Sequence, residues 1–155
     1  MIAYPSWEQL EQIPNIRTKF YPRLGPETPT FMGLPHAIGP ADLASADVVI
    51  IGAPYVAGWG ERYGGVTKAD WLASTKRVRQ QSLRYRSGYI QDFDLDVFEH
   101  LRVVDYGDAA IPDAANETPT VDVILAAQEA VERKVRDVLE AGAVPIVIGQ
   151  NSPCG

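Results

Sequence analysis

Hydrophobic positions are spread unevenly along this chain. Before Asp42 they are scattered among seven prolines, at positions 5, 14, 22, 26, 29, 35 and 40. Proline fixes φ and lacks an amide proton, so this spacing interrupts every helix or central strand except a short turn near Ser6 to Ile13. Residues 1–41 are therefore predicted to form an extended arm instead of core. Trp7, Phe20, Tyr21, Phe31 and Met32 would anchor that arm to a surface, either of its own domain or of a neighbouring subunit.

The pattern changes at Asp47. Val48-Val49-Ile50-Ile51 is a continuous β-branched run that stops at Gly52, as in a strand covered on both faces. Leu101 to Tyr106 stops at Gly107 in the same way, and Val144 to Ile148 stops at Gly149. Between the last two runs lies a helix with Thr118 as predicted N-cap, Pro119 at its first position and Gly142 as its stop. Its apolar face would comprise Val121, Ile124, Leu125, Val131, Val135, Val138 and Leu139. A second helix is predicted over Lys68 to Tyr85, with Trp71, Leu72, Thr75, Val78 and Ser82 on one side and Lys76, Arg77, Arg84 and Arg86 mostly elsewhere.

Strand, loop, helix, strand, helix, strand is the order of an α/β three-layer sandwich on a parallel sheet, here over residues 42–155. Ligands of such sheets collect at the carboxyl ends of the strands, which here are the segments from Gly52, Gly107 and Gly149. Three strands and two helices make half a sandwich, with a sheet edge left open. The natural chain, or its structural context, is expected to continue past residue 155.

Composition narrows the function classes. A chain of 155 residues, 46% hydrophobic and 22% charged, is ordinary for one globular domain with a real core. Fourteen basic against twenty acidic side chains leave a formal charge of −6, which disfavours binding to nucleic acid. No apolar run approaches the ~20 residues that span a bilayer, and the first residues lack both a basic n-region and a hydrophobic h-region. A cytoplasmic protein without membrane contact is expected. The single cysteine, Cys154, has no partner for an internal disulfide and reads as a free thiol.

Several motifs invite a chemical reading. Gly58 to Gly65 follows the first strand like a dinucleotide loop, but Tyr63 stands where G-x-G-x-x-G needs its last glycine, so a nucleotide-binding module is the weaker alternative. Asp92, Asp94 and Asp96 alternate and would converge on one side if extended, although an EF-hand is excluded by Val97 and Val103, and a solvated acidic turn is the simpler reading. Asp105 and Asp108 are better placed, at a strand's carboxyl end, where aspartates also commonly bond the following turn. His36 and His100 stand in no metal-ligand pattern, and Ser152 has no neighbouring base or G-x-S-x-G elbow.

Taken in order, Gly25-Pro26, then Thr30 to Pro35 (TFMGLP), Val48 to Tyr55 (VVIIGAPY), Asp96 to Asp108 (DVFEHLRVVDYGD) and Ala141 to Gly149 (AGAVPIVIG) resemble the amino-terminal half of the ureohydrolases, the arginase and agmatinase family. The resemblance implies an arginase-like three-layer fold, trimeric or hexameric assembly, and hydrolysis of a guanidino C–N bond. Two metal ions, usually manganese and sometimes nickel, would share one water there, lower its pKa and hold it against the guanidinium carbon.

The departures from that pattern are chemical. Where the family's third strand runs into G-G-D-H-S, this chain has Gly149-Gln150-Asn151-Ser152-Pro153, so Ser152 replaces the metal-binding histidine and Asn151 the aspartate. A serine hydroxyl is a poor divalent-metal ligand, and asparagine lacks the carboxylate's charge. The family's loop G-T-x-x-R-P-G-A-R-F-G-P is altered across Gly58 to Val66, and Val56 stands where many relatives carry aspartate. The D-x-H-x-D and D-x-D-x-x-D ligand motifs are missing from this sequence.

These losses resemble the metal-poor subunit of heteromeric guanidine-type hydrolases, such as the two-subunit metformin hydrolase. On that resemblance the chain itself binds no metal and is inactive alone, and it supports an active paralogue that holds two divalent ions, Ni or Mn. A truncated agmatinase or guanidinobutyrase-type enzyme is the alternative within the family. No catalytic or metal-binding residue is expected in this chain. Gly58, Trp59, Arg62, Asp105, Asp108, Gln150 and Asn151 are the candidates for lining a pocket.

Overall fold

The computed structural model describes residues 21–56, 62, 63, 65–85 and 87–149. Its strands are β1 (Arg23–Gly25), β2 (Thr28–Pro29), β3 (Val48–Ala53), β4 (Arg62–Tyr63), β5 (Val66–Thr67), β6 (Tyr89–Ile90), β7 (Leu95–Asp96), β8 (Val103–Asp108) and β9 (Val144–Gly149). The helices are α1 (Lys68–Leu72), α2 (Ser74–Ser82), α3 (Asp113–Glu117) and α4 (Val121–Glu140). The three apolar runs form one parallel sheet in the order β8-β3-β9, and the other strands pair as short antiparallel hairpins.

Alternation along β3 divides the core into two faces. Val49 and Ile51 pack with Val104, Tyr106 and Val138 of α4. Ile50 packs on the opposite face with Val103, Leu34, Phe31 and Met32. The α/β architecture expected from element order is thus present, with α4 on one face and α2 beside the Phe31–Leu34 segment on the other. On this second face Val144 and Ile146 of β9 are exposed.

The proline-rich segment does more than lie on a surface. Within its described part, Thr30, Leu34 and Ala37 are buried. Its backbone also covers the β8 edge: the Asp105 amide donates to the Pro35 carbonyl and the Ala37 amide to the Asp105 carbonyl, each at 2.9 Å. Prolines suit this position because an edge segment needs only part of its backbone for pairing.

Both predicted helices are corrected in detail. The stretch 68–85 is two helices that meet at Ala73, and α2 buries Thr75, Arg79 and Ser82 while Val78 is exposed. The long helix is capped by Thr120, whose side chain accepts from the Val123 amide, and not by Thr118, which closes the short helix α3. Its inward residues include Ala127, Ala130, Val131 and Val138, whereas Val121, Leu125 and Leu139 face solvent. Its stop is as expected. Gly142 adopts φ +79°, the Ala143 amide donates to the Val138 carbonyl and the Gly142 amide to that of Leu139, which is the Schellman arrangement.

Candidate functional site

Asp105 and Asp108 are three residues apart, so in a regular strand their side chains would point to opposite faces. They point to the same one. Ile50 of β3 pairs with Asp105 and Gly52 pairs with Asp108, so β8 spends three residues where β3 spends two. The irregularity falls at Gly107, whose φ of +72° suits glycine, and it turns Asp108 back beside Asp105.

Between the two carboxylates sits Arg79, fully buried. Its Nε donates to Asp105 Oδ2 at 2.8 Å, its Nη2 to Asp105 Oδ1 at 3.0 Å and its Nη1 to Asp108 Oδ1 at 2.6 Å. Asp105 also accepts from the Phe31 amide at 2.7 Å and the Gly107 amide at 2.9 Å, and Asp108 accepts from Thr75 Oγ1 at 3.1 Å. Burial acts against the Arg79 cation, but Asp105 and then Asp108 outweigh it and hold its pKa above the ordinary guanidinium value. Gly52 makes the approach feasible, since a Cβ there would lie 1.7 Å from Asp108 Oδ1.

The network reaches into the preceding turn. Ser82 Oγ accepts from the Met32 amide at 2.6 Å and donates to the Arg79 carbonyl at 2.7 Å. Together with the Phe31–Asp105 bond, this pins the turn Phe31–Gly33, in which Met32 (φ 51°) and Gly33 (φ 73°) are both left-handed.

On the α4 face, Tyr106 donates its hydroxyl to Asp137 Oδ2 at 2.9 Å, and Lys134 Nζ lies 3.5 Å from the centre of the Tyr106 ring while donating to the Tyr106 carbonyl. Burial, then the Asp137 carboxylate, pushes the Tyr106 phenol up to about 12. Burial pulls the Lys134 ammonium below its usual range, against the attraction of Asp105, Asp108 and Asp137. After β3, the Val56 amide donates to Asn116 Oδ1 at 2.7 Å, which ties the strand's exit to α3.

The sequence-derived candidates fare differently. Asp105 and Asp108 come together at the carboxyl edge, but Asp105 is fully buried and both are engaged by Arg79, whereas the Asp108 side chain retains 34% exposure. Arg62 lies in β4. Gly58, Trp59, Gln150, Asn151 and Ser152 fall outside the described residues. Asp92, Asp94 and Asp96 do not converge: Asp94 is left-handed and accepts from the Tyr89 hydroxyl, and Asp96 accepts from the Gly88 and Phe98 amides. His36 forms an isolated parallel bridge with Asp105, and His100 closes a short helical turn.

Arg79 is the residue that sequence reasoning missed as a member of this site. Its signal was a polar stripe at helical spacing, Thr75, Arg79 and Ser82, opposite the D-Y-G-D sequence. Among the described residues no group of three or more His, Cys, Asp or Glu side chains is arranged to hold a metal ion, and the carboxyl-edge aspartates are already engaged with Arg79. The described residues therefore do not form a donor set for a pair of ions. No described helix is long and apolar enough to cross a membrane.

The described site is thus the carboxyl edge of a parallel α/β sheet, where Arg79 from the flanking helix is buried between Asp105 and Asp108. The Arginase family model matches residues 46–150, well over half of the chain, and the chain belongs to that family. It is similar in fold to the crystal structure of a hypothetical agmatinase from Burkholderia thailandensis, with a TM-score of 0.60 and 23% identity over 79% of this chain. The match spans 33% of that agmatinase chain. No curated protein matches.

Proposed function

We propose that this chain is a degenerate, metal-poor subunit of a heteromeric ureohydrolase that cleaves a guanidino or biguanide C–N bond. In this reading it resembles the supporting subunit of a two-subunit metformin hydrolase. A metal-bearing paralogue, joined to it in a trimeric or hexameric assembly, holds the two Ni or Mn ions and carries out hydrolysis. The observation that carries this reading is the sequence Gly149-Gln150-Asn151-Ser152-Pro153, which starts at the last residue of β9 where the family has G-G-D-H-S. An alcohol and an amide replace an imidazole and a carboxylate, and these neutral oxygens hold Mn or Ni less well than the groups they replace.

The clamp of Arg79 on Asp105 and Asp108 is framework and does not distinguish an active chain from a supporting one. Those carboxylates fix the loop after β8 to α2 and to the Phe31–Gly33 turn, so they serve the framework and are not available as a free acid, base or ligand pair. The chain's contribution to the assembly is then a rigid carboxyl edge next to which a partner's site is built.

Co-expression tests this directly. The chain is produced alone and together with a paralogue bearing an intact G-G-D-H-S, and urea or guanidine release from biguanides and guanidino compounds is measured. Co-purification with hydrolysis by the complex, and none by this chain alone, supports the proposal. Hydrolysis by this chain alone identifies it as an enzyme in its own right and refutes it.

A further inference from the structure

The two edges of the parallel sheet differ. At β8 the segment Pro35 to Ala37 runs parallel to the strand and closes the edge through the two Asp105 backbone bonds described above. At β9, among the described residues, no strand pairs with the outer edge, and Val144 and Ile146 are 59% and 48% exposed. An apolar edge with unpaired backbone groups is a template for a further strand.

The backbone of β9 decides which strand fits. The Val144 amide donates to the Asp47 carbonyl at 2.9 Å, so the backbone groups of Val144 face β3. Successive residues of a strand alternate in this respect, so those of Ile146 and Ile148 face β3 as well, and those of Pro145, Val147 and Gly149 face outward. Proline has no amide proton. The outer edge therefore offers the carbonyls of Pro145, Val147 and Gly149 but only the amides of Val147 and Gly149. An antiparallel neighbour exchanges two bonds with the residue directly opposite, so whatever residue faces Pro145 keeps its carbonyl unpaired. A second copy of β9 joined about a two-fold axis adds in this antiparallel sense: paired about Val147, it sets Pro145 of each copy against Gly149 of the other and loses one bond at each end. A parallel neighbour bridges instead. One of its residues donates to the Pro145 carbonyl and accepts from the Val147 amide, and the residue two further on donates to the Val147 carbonyl and accepts from the Gly149 amide, so no donor is needed at position 145. The segment around His36 makes the same kind of bridge on Asp105 at the other edge.

We propose that the outer edge of β9 is a docking site for an extended apolar strand that enters parallel to β9, and that Pro145 sets this specificity by withholding the edge from a second copy of the chain. The incoming strand covers Val144 and Ile146 with its own apolar side chains. This specificity holds whether or not the chain is the metal-poor member of a heteromeric enzyme.

Sedimentation equilibrium of the full chain tests the selector, comparing the wild type with Pro145→Val and Pro145→Ala, which restore the missing donor behind two different side chains. Both variants should self-associate roughly tenfold more tightly than the wild type, the effect of two recovered hydrogen bonds, and equal self-association of all three overturns the proposal. A second measurement needs no variant. A synthetic peptide with the β3 sequence from Asp47 to Pro54, which already suits a parallel neighbour of β9, carries a nitroxide at its carboxyl end and is titrated into the 15N-labelled wild-type chain. The Val147 and Gly149 amides should gain protection from hydrogen exchange, and the Gly149 signal should broaden more than that of Val144. No protection, or stronger broadening at Val144, overturns the proposal.

Discussion

Replacing Arg79 by methionine removes three donors from the carboxyl edge in one step. Asp105 keeps the Phe31 and Gly107 amides as partners, but its charge, fully buried, loses the only cation bonded to it among the described residues. Breaking a buried ion pair by removing one partner costs about 3–5 kcal/mol, because the remaining charge stays desolvated. Domains of this size hold about 5–15 kcal/mol in total, so the variant should lose a large part of its stability. At roughly 2–4 °C per kcal/mol, Tm should fall by roughly 6–20 °C. Urea denaturation followed by circular dichroism should show a lower midpoint with the slope preserved. Arg79→Lys should recover only part of the loss, since an ammonium cannot engage both oxygens of Asp105 and Asp108 as the guanidinium fork does. A loss under about 1 kcal/mol, the scale of an exposed ion pair, would refute the placement of Arg79 as a buried clamp.

Gly52→Ala should be destabilised by about 1–3 kcal/mol, since the new Cβ collides with Asp108 Oδ1, an atom already pinned by Arg79, and thermal melting checks this. Gly107→Ala forces a side chain into φ +72° and should cost about 1–2 kcal/mol in the same assay. Alkaline stability tests Tyr106. Its phenol binds its proton more tightly in the folded state, so this contribution is complete below pH 10 and is lost as pH rises through about 12. Tyr106→Phe should flatten the fall in stability across that window, and an unchanged pH profile would contradict the Tyr106–Asp137 hydrogen bond.

The sheet was legible because each strand holds an apolar run with β-branched residues that meets a glycine, a local signal, although β3 and β8 each continue one residue past that glycine. Arg79 was illegible for the opposite reason. An arginine on a helix that also carries Lys76 and Arg77 normally marks the solvent side, and the buried destination of Arg79 is set by Asp105 together with Asp108, which the irregularity at Gly107 turns to the same side. Thr118 misled because threonine followed by proline imitates a helix start, whereas the backbone there is still closing α3 and the N-cap falls two residues later. The exposed faces of Val121, Leu125 and Leu139 were misread as inward because periodicity alone does not show that Ala127 and Ala130 lie closest to the sheet. The acidic pair itself was visible, and its partner was not.

Metal content per chain tests the central claim most directly. The complex of this chain with a paralogue bearing G-G-D-H-S is purified, its subunits are separated under conditions that retain tightly bound ions, and manganese and nickel are counted in each by mass spectrometry. Two ions in the paralogue and none in this chain are the expected result. Two ions retained by this chain's own side chains would contradict its role as a metal-poor support.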